Sequence, residues 1–208
     1  MEIEVKIRLT EEQDYAKTVE LLSKSANFVS QDDQTNYFFD NDAGDLCAVR
    51  ANFRLRKIAN PESFLITFKS KGTLVDGIAR IQEVQDVVSK ADFMKILDDP
   101  SSLHLFSHIP VVEHFLKLFD TQTFHQTASF ANMRLIYQWE DCCLEVDQTN
   151  YPFGTFWYAL INSREIECEH VDPENVKKRL HLLLAENMIN FTDAKRSKFG
   201  NLLAGSVL

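Results

Sequence analysis

The chain has few of the usual local devices for holding phosphate or metal. It has six glycines and five prolines in 208 residues. It contains no Gly-rich phosphate loop, and so few glycines and prolines exclude a collagen-like or low-complexity chain. The six histidines (His104, His108, His114, His125, His170 and His181) form no H-E-x-x-H pattern and no close zinc spacing; His104 and His108 read as a surface pair. The four cysteines, Cys47, Cys142, Cys143 and Cys168, include no C-x-x-C pair, which excludes a zinc knuckle. Free buried thiols in a reducing compartment are expected instead. Ser23 and Ser101-Ser102 lack a nucleophile elbow. No basic start leads into an apolar run, and no stretch approaches the ~18–20 apolar residues of a membrane span. The expectation is a soluble, cytoplasmic protein. Bases are outnumbered, 22 against 31 acids, for a net charge of −9. That field disfavours nucleic acid or an anionic membrane as partner.

Hydrophobic residues make up 45% of the chain, enough for a sizeable core. No repeat, linker or composition break divides it, so a single domain over 1–208 is expected, as a monomer. Glu2 to Leu9 alternates charged and apolar residues, the pattern of a half-buried strand. Thr10 reads as the cap of a helix to about Ser25, with Val19, Leu21 and Leu22 buried. Asn27–Asp40 reads as a strand, and 41–45 as a turn. Strands follow at about 47–58, 64–71 and 78–88, with Gly72 to Gly77 as a connection. Ser89 caps a helix to Leu97; Pro100 and Val111 begin two more. Strands are expected at 122–131, 133–140, 142–149 and 162–170. Asp172-Pro173-Glu174 starts a helix carrying Val176, Leu180, Leu183 and Leu184 on one side, and a short helix is expected over 193–199. The sum is an α+β fold with an antiparallel sheet.

Several strands have two committed faces. Glu2, Glu4, Lys6 and Arg8 oppose Ile3, Val5, Ile7 and Leu9. Arg54 and Arg56 oppose Phe53 and Leu55. Thr67, Lys69 and Lys71 alternate with Phe64, Ile66 and Phe68. Glu145, Asp147 and Thr149 alternate with Leu144 and Val146, and Glu165, Glu167 and Glu169 with Ile166 and Cys168. One such strand is ordinarily a solvated face. Ordinary surfaces mix the two signs, however, and like charges aligned on one face repel. An eight-stranded antiparallel barrel with charged faces inward and helices outside accounts for the pattern, and it holds one small ligand. The cations Lys6, Arg8, Arg54, Arg56, Lys69, Lys71, Arg80, Arg134 and Lys198 suit a compact polyanion, since arginine forks match phosphate oxygens. The acids Glu2, Glu4, Asp147, Glu165, Glu167 and Glu169 suit a hard divalent cation such as Mg²⁺ or Mn²⁺. Phosphate with divalent metal is the equipment of phosphoryl transfer.

These residues also match a family. Glu2-Ile3-Glu4-Val5-Lys6 resembles the E-x-E-x-K signature of the CYTH superfamily, the triphosphate tunnel metalloenzymes. Arg54-Leu55-Arg56, Lys69-Ser70-Lys71, Gly77-Ile78-Ala79-Arg80, Leu144-Glu145-Val146-Asp147, Glu165-Ile166-Glu167-Cys168-Glu169 and Ser197-Lys198-Phe199 follow in order. The set covers nearly the whole chain and looks most like the small plant members that act as inorganic triphosphatases. The resemblance implies an eight-stranded tunnel for a linear triphosphate. It places the E-x-E acids and late glutamates on the metal side, and the Arg and Lys positions on the phosphate side.

Two departures accompany the resemblance. Many members carry Glu two residues after the arginine of the fifth strand; here that position is Gln82 and the acid is Glu83. Strict alternation puts Arg80 and Glu83 on opposite faces unless a bulge intervenes. The connection through Thr155 to Ser163 is also long, with Phe156, Trp157 and Tyr158 extending the hairpin strands or covering a tunnel mouth.

The expected function is metal-dependent hydrolysis of triphosphate to pyrophosphate and phosphate, with Glu4, Lys6, Glu83 and Glu167 at the chemistry. A thiamine triphosphatase or adenylate cyclase-like enzyme would need a further pocket for its organic group. A silent polyphosphate-binding module would lack the metal acids. A carrier of an apolar ligand would reverse the charge pattern.

Overall fold

The computed structural model describes residues 1–152 and 161–207. Phe156, Trp157 and Tyr158, and with them most of the expected extension, lie outside the described residues. The alternating segments form strands because alternation gives each a wet and a dry face. β1 is Glu2–Leu9, β2 Asn27–Asp40, β3 Asn52–Ala59, β4 Glu62–Val75 and β5 Ile78–Val87. β6 is His125–Trp139, β7 Cys142–Tyr151, β8 Ile161–Glu169 and β9 Phe191–Asp193. The sheet order is β5-β4-β3-β2-β6-β7-β8-β1-β9, and β5 also pairs with β1. That added pairing closes eight strands into an antiparallel β-barrel accompanied by helices, an α+β fold, with β9 on β1.

The helices are α1 (Glu12–Ser25), α2 (Asp45–Ala48), α3 (Lys90–Asp98), α4 (Pro110–Leu116), α5 (Pro173–Glu186) and α6 (Lys198–Ala204), with a 3₁₀ turn at Pro100–Phe106. Ser89 caps α3 by accepting the Asp92 N–H, and Asp172 caps α5 by accepting that of Asn175, with Pro173 first in the helix. These caps satisfy donors that helix geometry leaves open.

Several boundaries differ from the sequence expectation. α1 starts after Glu11, not Thr10, because Asp14 accepts the Glu11 N–H at 3.1 Å in a reciprocal box. β3 begins at Asn52 rather than 47. The Asp40 carboxylate accepts the Leu46 and Cys47 N–H groups, each at 3.0 Å, and winds that stretch into α2. β4 runs through Gly72 to Val75, and the turn shrinks to Asp76-Gly77, both at positive φ (47° and 72°). A Cβ at Gly77 would come within 2.9 Å of Asp193, so the close approach also requires glycine. The two strands expected over 122–140 are one, since nothing between them turns the chain. The short helix expected over 193–199 is replaced by β9 and the later α6.

The chain divides into two compact units. The first comprises Asp33–Gly72 and Ile81–Ala131 with Met1; the second comprises Glu2–Asp32, Thr73–Arg80 and the described residues of Asn132–Leu208. The core of the first is rich in phenylalanine: Phe39, Phe53, Phe64, Phe68, Phe93, Phe106, Phe115 and Phe124 pack with Leu55, Ile66 and Ile96. The core of the second is mainly aliphatic, with Val5, Ile7, Leu22, Leu144, Val146, Ile166, Val176, Leu180 and Leu184. In α1, Val19 and Leu21 are only partly buried while Leu22 is fully so. In α5, Leu183 is likewise partly buried.

Candidate active site

In the second unit, the registers of β1, β8 and β7 set charged residues in rows. Lys6 lies opposite Glu167, and Arg8 opposite Glu165. Across the next pair, Glu145 faces Glu167 and Asp147 faces Glu165. Acid opposite acid is unfavourable on a sheet face; three cations compensate it. Lys6 Nζ pairs with Glu4 Oε1 at 2.9 Å and with Glu167. Arg134, on β6, pairs with Glu145, with Asp147 at 2.7 Å and with Glu167 at 2.9 Å. Lys198, at the start of α6, lies 2.7 Å from both Asp147 and Glu167 and 3.6 Å from Glu165. Glu4, Lys6, Arg134, Asp147, Glu165 and Glu167 are all buried.

Burial and charge act against each other here, and the charges win for most groups. Burial disfavours the Lys6 ammonium, but Glu167, Glu4 and Glu165 hold its pKa well above the usual range. Burial raises Glu167 less than Lys198, Lys6 and Arg134 lower it, so it stays well below the usual carboxylate range. Asp147 is lowered for the same reason, by Lys198 and Arg134. For Glu165 and Glu145 burial prevails over their cations and the pKa rises.

The donor sets suit a hard cation. Oxygens of Glu145, Asp147 and Glu167 lie within 4.8 Å of one another. Asp147 is already crowded with donors: Asn132 Nδ2 at 2.8 Å, Arg134 Nε at 2.8 Å, Arg134 Nη2 at 2.7 Å and Lys198. Thr149 in turn donates to Asn132 Oδ1 at 2.6 Å, fixing the amide. Among the described residues Glu165 Oε2 is buried without a hydrogen-bond donor, and Lys198 Nζ stands beyond hydrogen-bond reach at 3.6 Å. A buried carboxylate oxygen held by a lysine at that distance is still short of ligands. Glu4, Glu145, Asp147, Glu165 and Glu167 are five acids against three bases, Lys6, Arg134 and Lys198, which leaves two negative charges when all are ionised. One divalent cation balances that excess, and carboxylate oxygens are its preferred ligands.

The first unit holds its cations differently. Arg54 Nη2 donates to Thr67 Oγ1 at 3.1 Å, and Thr67 donates to Gln85 Oε1 at 3.1 Å. Arg56 Nε donates to Asn36 Oδ1 at 2.8 Å. Lys69 pairs with Glu83. Arg54 and Arg56 share one face of β3, while Phe53 and Leu55 enter the phenylalanine core.

Glu4, Lys6, Arg134, Asp147, Glu165, Glu167 and Lys198 of the expected residues thus come together. Arg80 does not join them: it turns to Glu174 of α5, 3.2 Å away, and is partly exposed. Glu83 meets Lys69, so the sequence conflict between Arg80 and Glu83 resolves with the arginine turned to a helix. Glu169 and Lys71 are exposed, and Glu2 and Arg8 are half-buried. Glu145 joins the acidic cluster although the sequence reading assigns the metal to Asp147 instead; the alternation of Glu145 with Asp147 carried that signal. Thr149 stands on the polar face shared with Glu145 and Asp147, but nothing local in the sequence marks Asn36 or Asn132.

A second group, Asp141, Cys142 and His170, also brings three donor atoms within 4.8 Å. Its chemistry does not suit a metal. The Asp172 N–H donates to His170 Nδ1 at 3.0 Å, which leaves the neutral ring's proton on Nε2, 3.4 Å from Asp141. Arg179 already donates to Asp141 at 2.6 Å. All four cysteines are free; Cys142 and Cys168 are buried and Cys47 and Cys143 exposed, so only two of the four are the buried thiols expected.

No helix is long and apolar enough to cross a membrane among the described residues. No curated protein sequence matches the chain. Among solved structures, the putative adenylyl cyclase HpAC1 from Hippeastrum, for which a dominant triphosphatase activity is described, is 29% identical with a TM-score of 0.91, covering 100% of this chain and 98% of that one. A putative adenylate cyclase from Bacillus halodurans is 19% identical with a TM-score of 0.67, over 96% and 95% of the two chains. The PH1819 protein of Pyrococcus horikoshii is 13% identical with a TM-score of 0.64, over 97% and 98%. The last two share the fold. The CYTH domain model matches residues 1–195, and the chain belongs to the CYTH-domain family.

Proposed function

We propose that this protein is a metal-dependent hydrolase that cleaves inorganic triphosphate to pyrophosphate and phosphate. The observation that carries the reading is the buried second-unit cluster, five carboxylates around three cations. The arginine pair of β3 supports it, because arginine forks suit phosphate oxygens. So does the Hippeastrum relative, with its dominant triphosphatase activity.

In this reading Glu4, Glu145, Glu165 and Glu167 are the main holders of Mg²⁺ or Mn²⁺, with Glu2 and Glu169 beside them. Asp147 serves chiefly to anchor Arg134 and Lys198. When bound, the metal supplies positive charge against phosphoryl oxygens and acidifies water. Lys6 and Lys198 are held charged by their carboxylates and neutralise charge on the substrate. Arg8, Arg54, Arg56, Lys69 and Arg134 serve phosphate binding, Arg80 at Glu174 and exposed Lys71 are set aside from it, and Glu83, paired with Lys69, is the remaining acid at the chemistry. The substrate is a small polyanion, and the protein works in the cytoplasm as a single CYTH domain. The name of the Hippeastrum relative favours a second reading, action on a nucleoside triphosphate.

Phosphate release from tripolyphosphate, ATP and thiamine triphosphate, assayed side by side, tests the choice. Tripolyphosphate should be the best substrate. Activity should vanish with EDTA, return with Mg²⁺ or Mn²⁺, and be lost in Glu4→Gln. Metal-independent release, or preference for ATP, would overturn the reading.

A further inference from the structure

Asn36 sits on β2 directly opposite Arg56 on β3. It is fully buried, at 0% exposure. Its Oδ1 accepts the Arg56 Nε–H at 2.8 Å. That bond fixes the amide, because a flipped side chain would set an N–H donor against the arginine's N–H. The Nδ2 group therefore points its two N–H donors elsewhere, and among the described residues no hydrogen-bond acceptor meets it. An amide nitrogen buried in that state is costly, and native proteins rarely tolerate it without a partner. The residue beside it is a guanidinium, so an anion is attracted to the same place. A phosphate oxygen is a strong acceptor for both groups.

We propose that Asn36 is a ligand-binding residue: its Nδ2 donates to an oxygen of the phosphate chain that Arg56 attracts. This deepens the triphosphatase reading and rests on it. Asn36 then has two jobs, bracing the arginine through Oδ1 and contacting the anion through Nδ2. The amide is neutral, so it adds a directed donor without adding to the repulsion between Arg54 and Arg56.

Calorimetric titration with sodium tripolyphosphate, in EDTA so that no turnover consumes it, separates the two jobs. Asn36→Asp keeps an oxygen for Arg56 and removes the donor. Asn36→Ala removes both without adding charge. Each should raise the Kd by roughly ten- to hundredfold, the range for a hydrogen bond to a charged group. Thermal unfolding without ligand should be unchanged or higher for Asn36→Asp. If Asn36→Ala binds as the parent does, the donor is dispensable and the inference fails, whatever Asn36→Asp does by repulsion. If only Asn36→Ala weakens binding, Asn36 is merely a brace and the inference fails too. In both cases Arg56→Ala should still lose affinity and parent hydrolysis should persist, which leaves the triphosphatase reading intact. A parent that neither binds nor hydrolyses tripolyphosphate overturns both.

Discussion

The two units differ in how densely carboxylates crowd their cations. In the second, Lys6, Arg134 and Lys198 each touch at least two carboxylates, nearly all buried. In the first, Lys69 meets Glu83, and the contacts of Arg54 and Arg56 include a hydroxyl and an amide oxygen. The first arrangement is an ion network in which every member is needed to offset the desolvation of the others. Contacts to neutral atoms, such as those made by Arg54 and Arg56, are individually modest. The difference predicts where substitution damages the fold and where it damages only binding.

The largest effect should come from Asp147→Ala. It strips Arg134 of a bidentate partner and Lys198 of a close one, leaving two cations undercompensated in a buried setting. Urea unfolding should show a loss of about 3–5 kcal/mol, the usual consequence of breaking a buried pair from one side. A loss under ~1 kcal/mol would mean that water reaches the network and that the contrast between the units is one of appearance.

An intermediate effect should appear with pH. Burial pushes the Tyr151 and Tyr15 hydroxyls up to about 12. An unfolded tyrosine ionises near ~10, so the fold binds these protons more tightly. The contribution is complete below about pH 10 and is lost as pH rises from there to about 12. For fully buried Tyr151 that loss is on the order of 2–3 kcal/mol. At the acid end, hydrogen bonding from Arg179 and Cys142 holds Asp141 at about 2. Its small, solvent-screened contribution is present above about pH 4 and fades as pH falls toward about 2. All three groups belong to the second unit. Unfolding midpoints of Tyr151→Phe and parent should converge below pH 9 and separate above pH 10, the parent being the weaker. Parallel curves would remove Tyr151 as the cause.

The smallest effect on stability should come from Arg56→Ala. Its loss removes the hydrogen bond to Asn36 among its contacts and relieves repulsion with Arg54, terms of opposite sign. The unfolding free energy should change by no more than about 1 kcal/mol, while tripolyphosphate should raise the melting temperature of the parent more than that of the variant. A variant that unfolds several kcal/mol more easily would put Arg56 in a network like that of the second unit.

How far the sequence reaches is clearest at particular residues. β1, β2, the Ser89 cap and the Asp172-Pro173 start were legible because alternation and cap chemistry involve residues within a few positions of each other. The charged faces of β1, β7 and β8 named most of the charged residues that come together. The start of β3 was not legible, because the carboxylate of Asp40 reaches six and seven residues ahead to wind α2. Nor was the destination of Arg80, since its partner Glu174 is distant in sequence.

By itself, then, the order of residues determined which side chains share a face and which face is apolar, because the two-residue period of a strand is a property of the backbone. Tertiary structure alone decided which charges meet. Cross-strand register set Glu145 against Glu167 and Asn36 against Arg56, and the position of α6 brought Lys198 to Asp147 and Glu167. Coulombic and hydrogen-bond energies depend on distances of a few ångströms, and only folding sets those distances between residues far apart in the chain.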